Sequence, residues 1–472
     1  MNKSSKFLLA ALVSLAPAAL QAQTLPSTLT DGVQETDASL FANIFNLPAD
    51  GVVDPTIDGD ATGATLNQFN VGSGGLLSPN NAPFYFTEIN ILSGGDTANG
   101  ITFENAEINV FGGEVGSSLT FGANSTLNAS PGSIVGSNID LNAGATANLD
   151  GATVSDNFDT FVGSTLNISG TTVFSGSNSD FDGDVNISGG TISGSTDFNE
   201  NSNVTISGGT FGNNIDFFGA NNTFSGGTFG SNFDIEASAV NTVFDVDGSG
   251  NGVTIASGAE FFAGVTINGG DFTASADFEA GTTSVINGGN FGNNVDVLGD
   301  VTVNDGTFGT NLDVESAGVL TVNGGTFDFI DVNGGVVNLA GGNASNNIDV
   351  RDDGTLNISG GFFESAGILA AFGDVNLSGS EFFIDGVAID GAAINVNQGA
   401  VLTGVLDDGS SVEFDLFLDG VVVDFFQTRD FFNTGSLTAG GTTINILAVP
   451  EPSSLSLLAL GALGMITRRK RS

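Results

Sequence analysis

The sequence predicts an all-β chain wound as a single-stranded parallel β-helix of about 19 residues per rung, with a capping segment at each end. Three observations predict it. A Gly-Gly or Asn-Gly-Gly turn recurs at a near-constant interval, the run before each turn alternates apolar and polar residues, and Gly supplies 70 of 472 residues, about twice its usual share. The clearest copies read Val204-Thr205-Ile206-Ser207-Gly208-Gly209-Thr210-Phe211 and Leu320-Thr321-Val322-Asn323-Gly324-Gly325-Thr326-Phe327. With the first turn residue as anchor, Gly112, Pro131, Gly151, Gly170, Gly189, Gly208 and Gly226 follow one another at 19, 20, 19, 19, 19 and 18 residues. After a gap of 43, Gly269, Gly288, Asp305, Gly324, Gly341, Gly360 and Gly379 continue at 19, 17, 19, 17, 19 and 19. The gap reads as two rungs with a degenerate turn near Asp247-Gly248. A period that slips by one or two residues marks a solenoid, and short alternating runs mark its strands. Helical repeats are excluded because Gly is too frequent and no 3.6-residue stripe persists. Parallel crossovers make the right hand the expected one.

Residues 1–22 read as a signal peptide. Lys3 and Lys6 precede the apolar run 7–20, and Gln21-Ala22-Gln23 supplies a small-residue exit with cleavage near Ala22. The partners this implies are the Sec export machinery and signal peptidase. Residues 23–72 lack the repeat and are expected to form an N-terminal cap, with Ser39-Leu40-Phe41-Ala42-Asn43-Ile44-Phe45 as a short amphipathic element. Residues 73–400 carry the β-helix repeats. In each rung alternation sends side chains such as Val204, Ile206, Phe211, Ile215 and Phe217 inward, and stacking places Phe211, Phe229, Phe272, Phe291, Phe308 and Phe327 in one internal column. Residues 401–448 read as ordinary strands forming a C-terminal β cap that covers an otherwise open solenoid end.

Composition removes most enzyme chemistry. Cys and His are absent, and eight bases face 53 acids for a net charge of −45. Thiolate and imidazole nucleophiles, histidine acid–base catalysis, the usual zinc ligand sets and disulfides are excluded. Six of the bases sit in the two terminal segments, so the span 24–449 keeps only Arg351 and Arg429 and carries a net of −50. That charge excludes nucleic acid as a partner.

Its acids are partly ordered. The segment after each turn ends Asn-apolar-Asp in Asn138-Ile139-Asp140, Asn157-Phe158-Asp159, Asn214-Ile215-Asp216, Asn232-Phe233-Asp234, Asn294-Val295-Asp296, Asn311-Leu312-Asp313 and Asn347-Ile348-Asp349, while Asp197, Asp277 and Asp331 hold the matching place without the Asn. At the rung period these carboxylates form a column one strand spacing apart, and like charges about 5 Å apart repel. Three readings stay open: a solvated acidic face, a weak and shallow Ca²⁺ column on these ten residues, and a basic partner. The Asn column is expected to hydrogen-bond along the axis as amide ladders. No cofactor is required, and Ca²⁺ is the only candidate.

The tail, residues 449–472, is the second strong signal. Pro450-Glu451-Pro452 is followed by an apolar stretch 453–467 and by Arg468, Arg469, Lys470 and Arg471. A short transmembrane helix held by its basic end on the cytoplasmic side is the physical reading. These three parts in this order resemble the PEP-CTERM sorting signal. The resemblance implies a Gram-negative bacterium, transient anchoring in the inner membrane, an exosortase-like membrane protease as partner, and a final place at the cell surface or in the extracellular matrix.

The function expected is that of an exported structural or adhesive surface protein that associates with extracellular polymer or with itself. The competing class is a polysaccharide lyase or glycoside hydrolase, since parallel β-helices host such enzymes and two carboxylates suffice for hydrolysis. Repetitive acid columns without an isolated pair, and the scarcity of bases for lyase chemistry, argue against an enzyme. Ice binding is the lesser alternative. It rests on a Thr column, Thr191, Thr210, Thr228, Thr307 and Thr326, that Asp271 and Asn290 interrupt.

Overall fold

The computed structural model describes residues 87–388 apart from 177–178, 352, 364–366 and 371–372, then 400–419, and the strands Gln23–Thr24, Ile44–Leu47, Val52–Val53, Asn67–Val71, Leu76–Leu77, Phe84–Tyr85, Val422–Phe426 and Thr443–Ala448. The signal peptide expected over 1–22 and the tail over 449–472 lie outside the described residues. Every described element is a strand. Among the described residues no helix is long and apolar enough to cross a membrane.

The chain divides into two compact units, Met1–Asn186 and Ile187–Ser472. Each is a parallel β-solenoid with coils of about 19 residues and three strands per coil, the architecture expected from the sequence. In the first unit one coil runs Thr126–Ala129, Ile134–Val135 and Ile139–Leu141. Each strand pairs in parallel with its counterpart in the next coil, Thr146–Asp150, Thr153–Val154 and Phe158–Thr160. In the second unit Thr283–Ile286, Asn290–Phe291 and Val295–Val297 stand in the same relation to Asp300–Val303, Thr307–Phe308 and Leu312–Glu315. One coil alone cannot bury its apolar side, and stacking closes the core.

The first ladder of the first unit begins earlier than the repeat does. Gln23–Thr24, Ile44–Leu47, Asn67–Val71 and Thr87–Leu92 pair in parallel, one on the next. The described strands of the 23–72 segment are therefore rungs, spaced wider than the later ones and lacking the Gly-Gly turn, so a 19-residue scan passes over them. The gap of 43 residues resolves as two coils of unequal length. Asp234 pairs with Glu260, 26 residues on, and Glu260 with Asp277, 17 on. The surplus sits in the corner 245–252, where the Asp247 carboxylate accepts the amides of Ser249 and Asn251 at 2.7 and 2.9 Å.

Both glycines of the Gly-Gly turn are needed, for different reasons. At the second, Gly209 and Gly227 take φ of +105°, in the left-handed region. At the first, φ is ordinary, but a Cβ on Gly226 would stand 2.6 Å from the carbonyl oxygen of Ser207 in the coil below.

Beneath the turns lies the expected Phe column, each ring at most 3% exposed. Phe272, Phe291, Phe308 and Phe327 stack with centroids 4.7 to 4.9 Å apart and planes within 10°. Phe211 and Phe229 form a second stack at 4.4 Å. Ile255 separates the two, since it pairs with Phe229 on one side and Phe272 on the other.

After the coils of the second unit the pairing changes sense. Ala400–Leu406, Ser411–Asp419 and Val422–Phe426 form an antiparallel meander. It returns to Gly367–Ala370 and to Asp374–Ile384, again antiparallel. Phe414, fully buried, sets its ring edge-on to Phe363 at 5.7 Å. These are the strands expected over 401–448.

Candidate functional site

The third strand of each coil is short, and its burial pattern dictates the site. Ile215–Phe217 and Val295–Val297 bury both end residues and leave the middle one part-exposed, so an Asp at the middle must point outward. Chain entry into this strand is made by the preceding Asn. Asn138, Asn157, Asn214, Asn232, Asn294 and Asn311 all have φ between +49° and +62°, a conformation that Asn reaches more cheaply than other non-glycine residues. The same side chains form the expected amide ladder. The Nδ2 of Asn157 donates to Asn138 at 3.0 Å, that of Asn232 to Asn214 at 2.8 Å, and that of Asn311 to Asn294 at 3.1 Å.

A second ladder, in the first strand of the coil, escapes the sequence pattern as read above. Asn109, Asn128, Asn148, Asn167 and Asn186 are linked Nδ2 to Oδ1 at 2.7 to 3.0 Å in the first unit. Asn268, Asn287, Asn304 and Asn323 repeat it at 2.8 to 2.9 Å in the second. Its signal is an Asn recurring at the rung period a few residues before each turn.

The carboxylate column exists in register. In the first unit Asp140 pairs with Asp159, whose Oδ1 accepts the amide of Asp180 at 3.1 Å. In the second unit the order is Asp197, Asp216, Asp234, Glu260, Asp277, Asp296, Asp313, Asp331 and Asp349. Leu369 ends it. All ten predicted acids occupy the outward place. Glu260 and Asp180 are the members that sequence reasoning missed, because Ala259-Glu260-Phe261 and Ser179-Asp180-Phe181 lack the preceding Asn and stand at irregular intervals.

Outward-facing carboxylates one strand spacing apart shield one another from water, and their acidity records it. Partial burial raises Asp140, Asp216, Asp296 and Asp313 above the ordinary carboxylate value. Asp234 is pushed up to about 6 by desolvation and then by the charges of Asp216, Glu260 and Glu236. Asp277 reaches about 6 by desolvation with Asp296, Glu260 and Glu279 adding to it. These are the two effects expected of like charges in a half-dry row.

At the far end the row contains its own counterion. Arg351, at the lateral position held by Asn333 one coil before, reaches back to Asp331 at 2.9 Å through Nη1 and to Asp349 through Nη2. Burial still raises both acids, Asp331 to about 6, with Arg351 pulling against it. The Oδ1 atoms of Asp331 and Asp349 are buried without a hydrogen-bond partner. Among the described residues no three or more acids converge in a cluster that could hold a metal ion, because the parallel register holds successive carboxylates side by side.

The Thr column is interrupted as expected. Thr210, Thr228 and Thr254 are in register, followed by Asp271 and Asn290, then Thr307 and Thr326, then Asn343. The sorting residues Pro450, Glu451, Pro452, Arg468, Arg469, Lys470 and Arg471 lie outside the described residues. No curated protein matches this chain. Residues 448–471 match the model of the PEP-CTERM protein-sorting motif, so the chain is an exported β-solenoid protein marked for surface sorting and for processing by exosortase-type machinery.

Proposed function

We propose that this protein is a non-enzymatic structural or adhesive component of the surface or extracellular matrix of a Gram-negative bacterium, and that its carboxylate column takes up Ca²⁺. The observation that carries the reading is the unbroken register of acids from Asp197 to Asp349 on a chain that bears a sorting motif. Repetition of one chemical group at one spacing suits multivalent contact with a polymer and offers no isolated acid and base. Ca²⁺ is read as a bridging counterion held between neighbouring carboxylates, and extracellular polymer with its own acidic groups as the partner it joins. Export begins with cleavage near Ala22, and the tail anchors the chain in the inner membrane until exosortase acts.

The experiment is localisation of the full chain and of a chain lacking 450–472, each with and without a chelator. The full chain is expected at the surface or in the matrix and to be released by chelation, and the shortened chain to miss that destination. Identical distribution of the two chains would overturn the sorting part, and retention under chelator the Ca²⁺ part.

A further inference from the structure

The two ends of the first ladder carry a second consequence. In the second unit the meander closes the neighbouring ladders: Val422–Phe426 pairs on Gly367–Ala370, and Phe414 packs on Phe363. The first ladder is treated otherwise. Its strand Asp374–Ile384 receives Thr443–Ala448 as one more parallel rung, with Asn445 in register with Asn376. Beyond Thr443–Ala448 no further described strand pairs. Its six residues are uncharged and free of Gly and Pro, the composition that pairs most readily with another strand. The sorting motif begins at its last residue, 448.

In the first unit the corresponding ladder opens with Gln23–Thr24, paired on one side to Phe45 and Asn46 and to no described strand on the other. That strand follows directly on the expected cleavage point. Both terminal rungs of this ladder type therefore adjoin segments that export removes.

We propose that Thr443–Ala448 of one processed copy accepts the Gln23–Thr24 end of a second copy as its next parallel strand, so that copies join head to tail. Strand polarity fits, because in both units each later rung is added parallel and on the same side of the one before. Charge fits as well: between copies carrying a net of −50 over 24–449, an uncharged edge is where contact meets least repulsion. Such an interface is heterologous, and it continues from copy to copy unless its rotation happens to close a ring. The inference rests on the proposed processing at both ends and is independent of adhesion to polymer.

The test uses the full chain, exported so that its signal peptide is removed, with a specific protease sequence inserted between Ala448 and Val449. It is purified in mild detergent and followed by sedimentation velocity and electron microscopy before and after cleavage. A single species is expected before cleavage, and afterwards a series of species whose mean size grows with concentration. Asn445→Lys on the accepting edge and, separately, Thr24→Pro on the entering strand are each expected to return the cleaved chain to a single species with unchanged thermal unfolding. A cleaved wild-type chain that stays single at every concentration overturns the proposal, and so does one that stops at a dimer. A monomeric cleaved chain that still binds matrix would remove the assembly and leave the adhesive reading standing.

Discussion

Asn232 shows how one residue type answers two demands. Its φ of +59° favours Gly or Asn, and its amide bonds to Asn214 in the coil below. Asn232→Gly keeps the conformation and loses the bond, at a cost of about 0.5–1 kcal/mol, whereas Asn232→Ala loses both, for about 2 kcal/mol. Denaturant unfolding of the two variants should give that order, and equal losses would show that the ladder bond alone matters. Arg351 offers a second single-residue test. It is part-exposed but bonds two acids whose other oxygens are buried and unpartnered. Arg351→Met is expected to cost about 1–2 kcal/mol at pH 7.5. The loss should shrink at pH 5, where Asp331, pushed up to about 6 even beside the guanidinium, is largely protonated and no longer needs a counterion. A loss independent of pH would contradict the pairing as its cause.

At the scale of the ladder, the carboxylate row makes stability depend on pH in an unusual direction. Asp234 and Asp277 titrate near 6 in the folded chain against an ordinary value of 3.8. The folded state therefore holds more protons than the unfolded one between about pH 4 and 6, and stability must fall as pH rises through that window. The melting temperature should rise by several degrees on going from pH 7.5 to 4.5 at fixed ionic strength, and a fall would refute the stacking of charge. Added Ca²⁺ should raise it at pH 7.5 and have little effect at pH 4.5. The turn gives a separate test: Gly226→Ala, whose Cβ would press on the Ser207 carbonyl, is expected to cost about 1–3 kcal/mol. Strand, turn and column were legible in the sequence because each repeats at the coil period. What was not legible was the reason for each Asn, since a ladder partner and a positive φ leave the same mark on a sequence. Glu260 was hidden because its coil is 26 residues long, and a fixed spacing cannot find a residue displaced by a corner.

For the whole molecule the governing quantity is charge, −50 across 24–449. Self-repulsion of that size weakens the compact state and is screened by salt. Thermal unfolding at pH 7.5 should shift upward between low and moderate NaCl, and by clearly less at pH 4.5; equal shifts would mean that salt acts on something other than the acids. The fold class and the sorting motif were both readable in advance, because one is periodic and the other is a short ordered signature. The early rungs were not, because Gln23–Thr24, Ile44–Leu47 and Asn67–Val71 share neither turn nor interval with the later coils. The corner 245–252 has a final implication. It lengthens one coil, yet pairing resumes at Ala259 against Ala276 as though nothing had been added. Gly248 and Gly250 there have open space where a Cβ would go. The stack thus tolerates slack at its corners while forbidding it in its strands, so foreign sequence grafted at Gly248 would be displayed without disturbing the coils on either side.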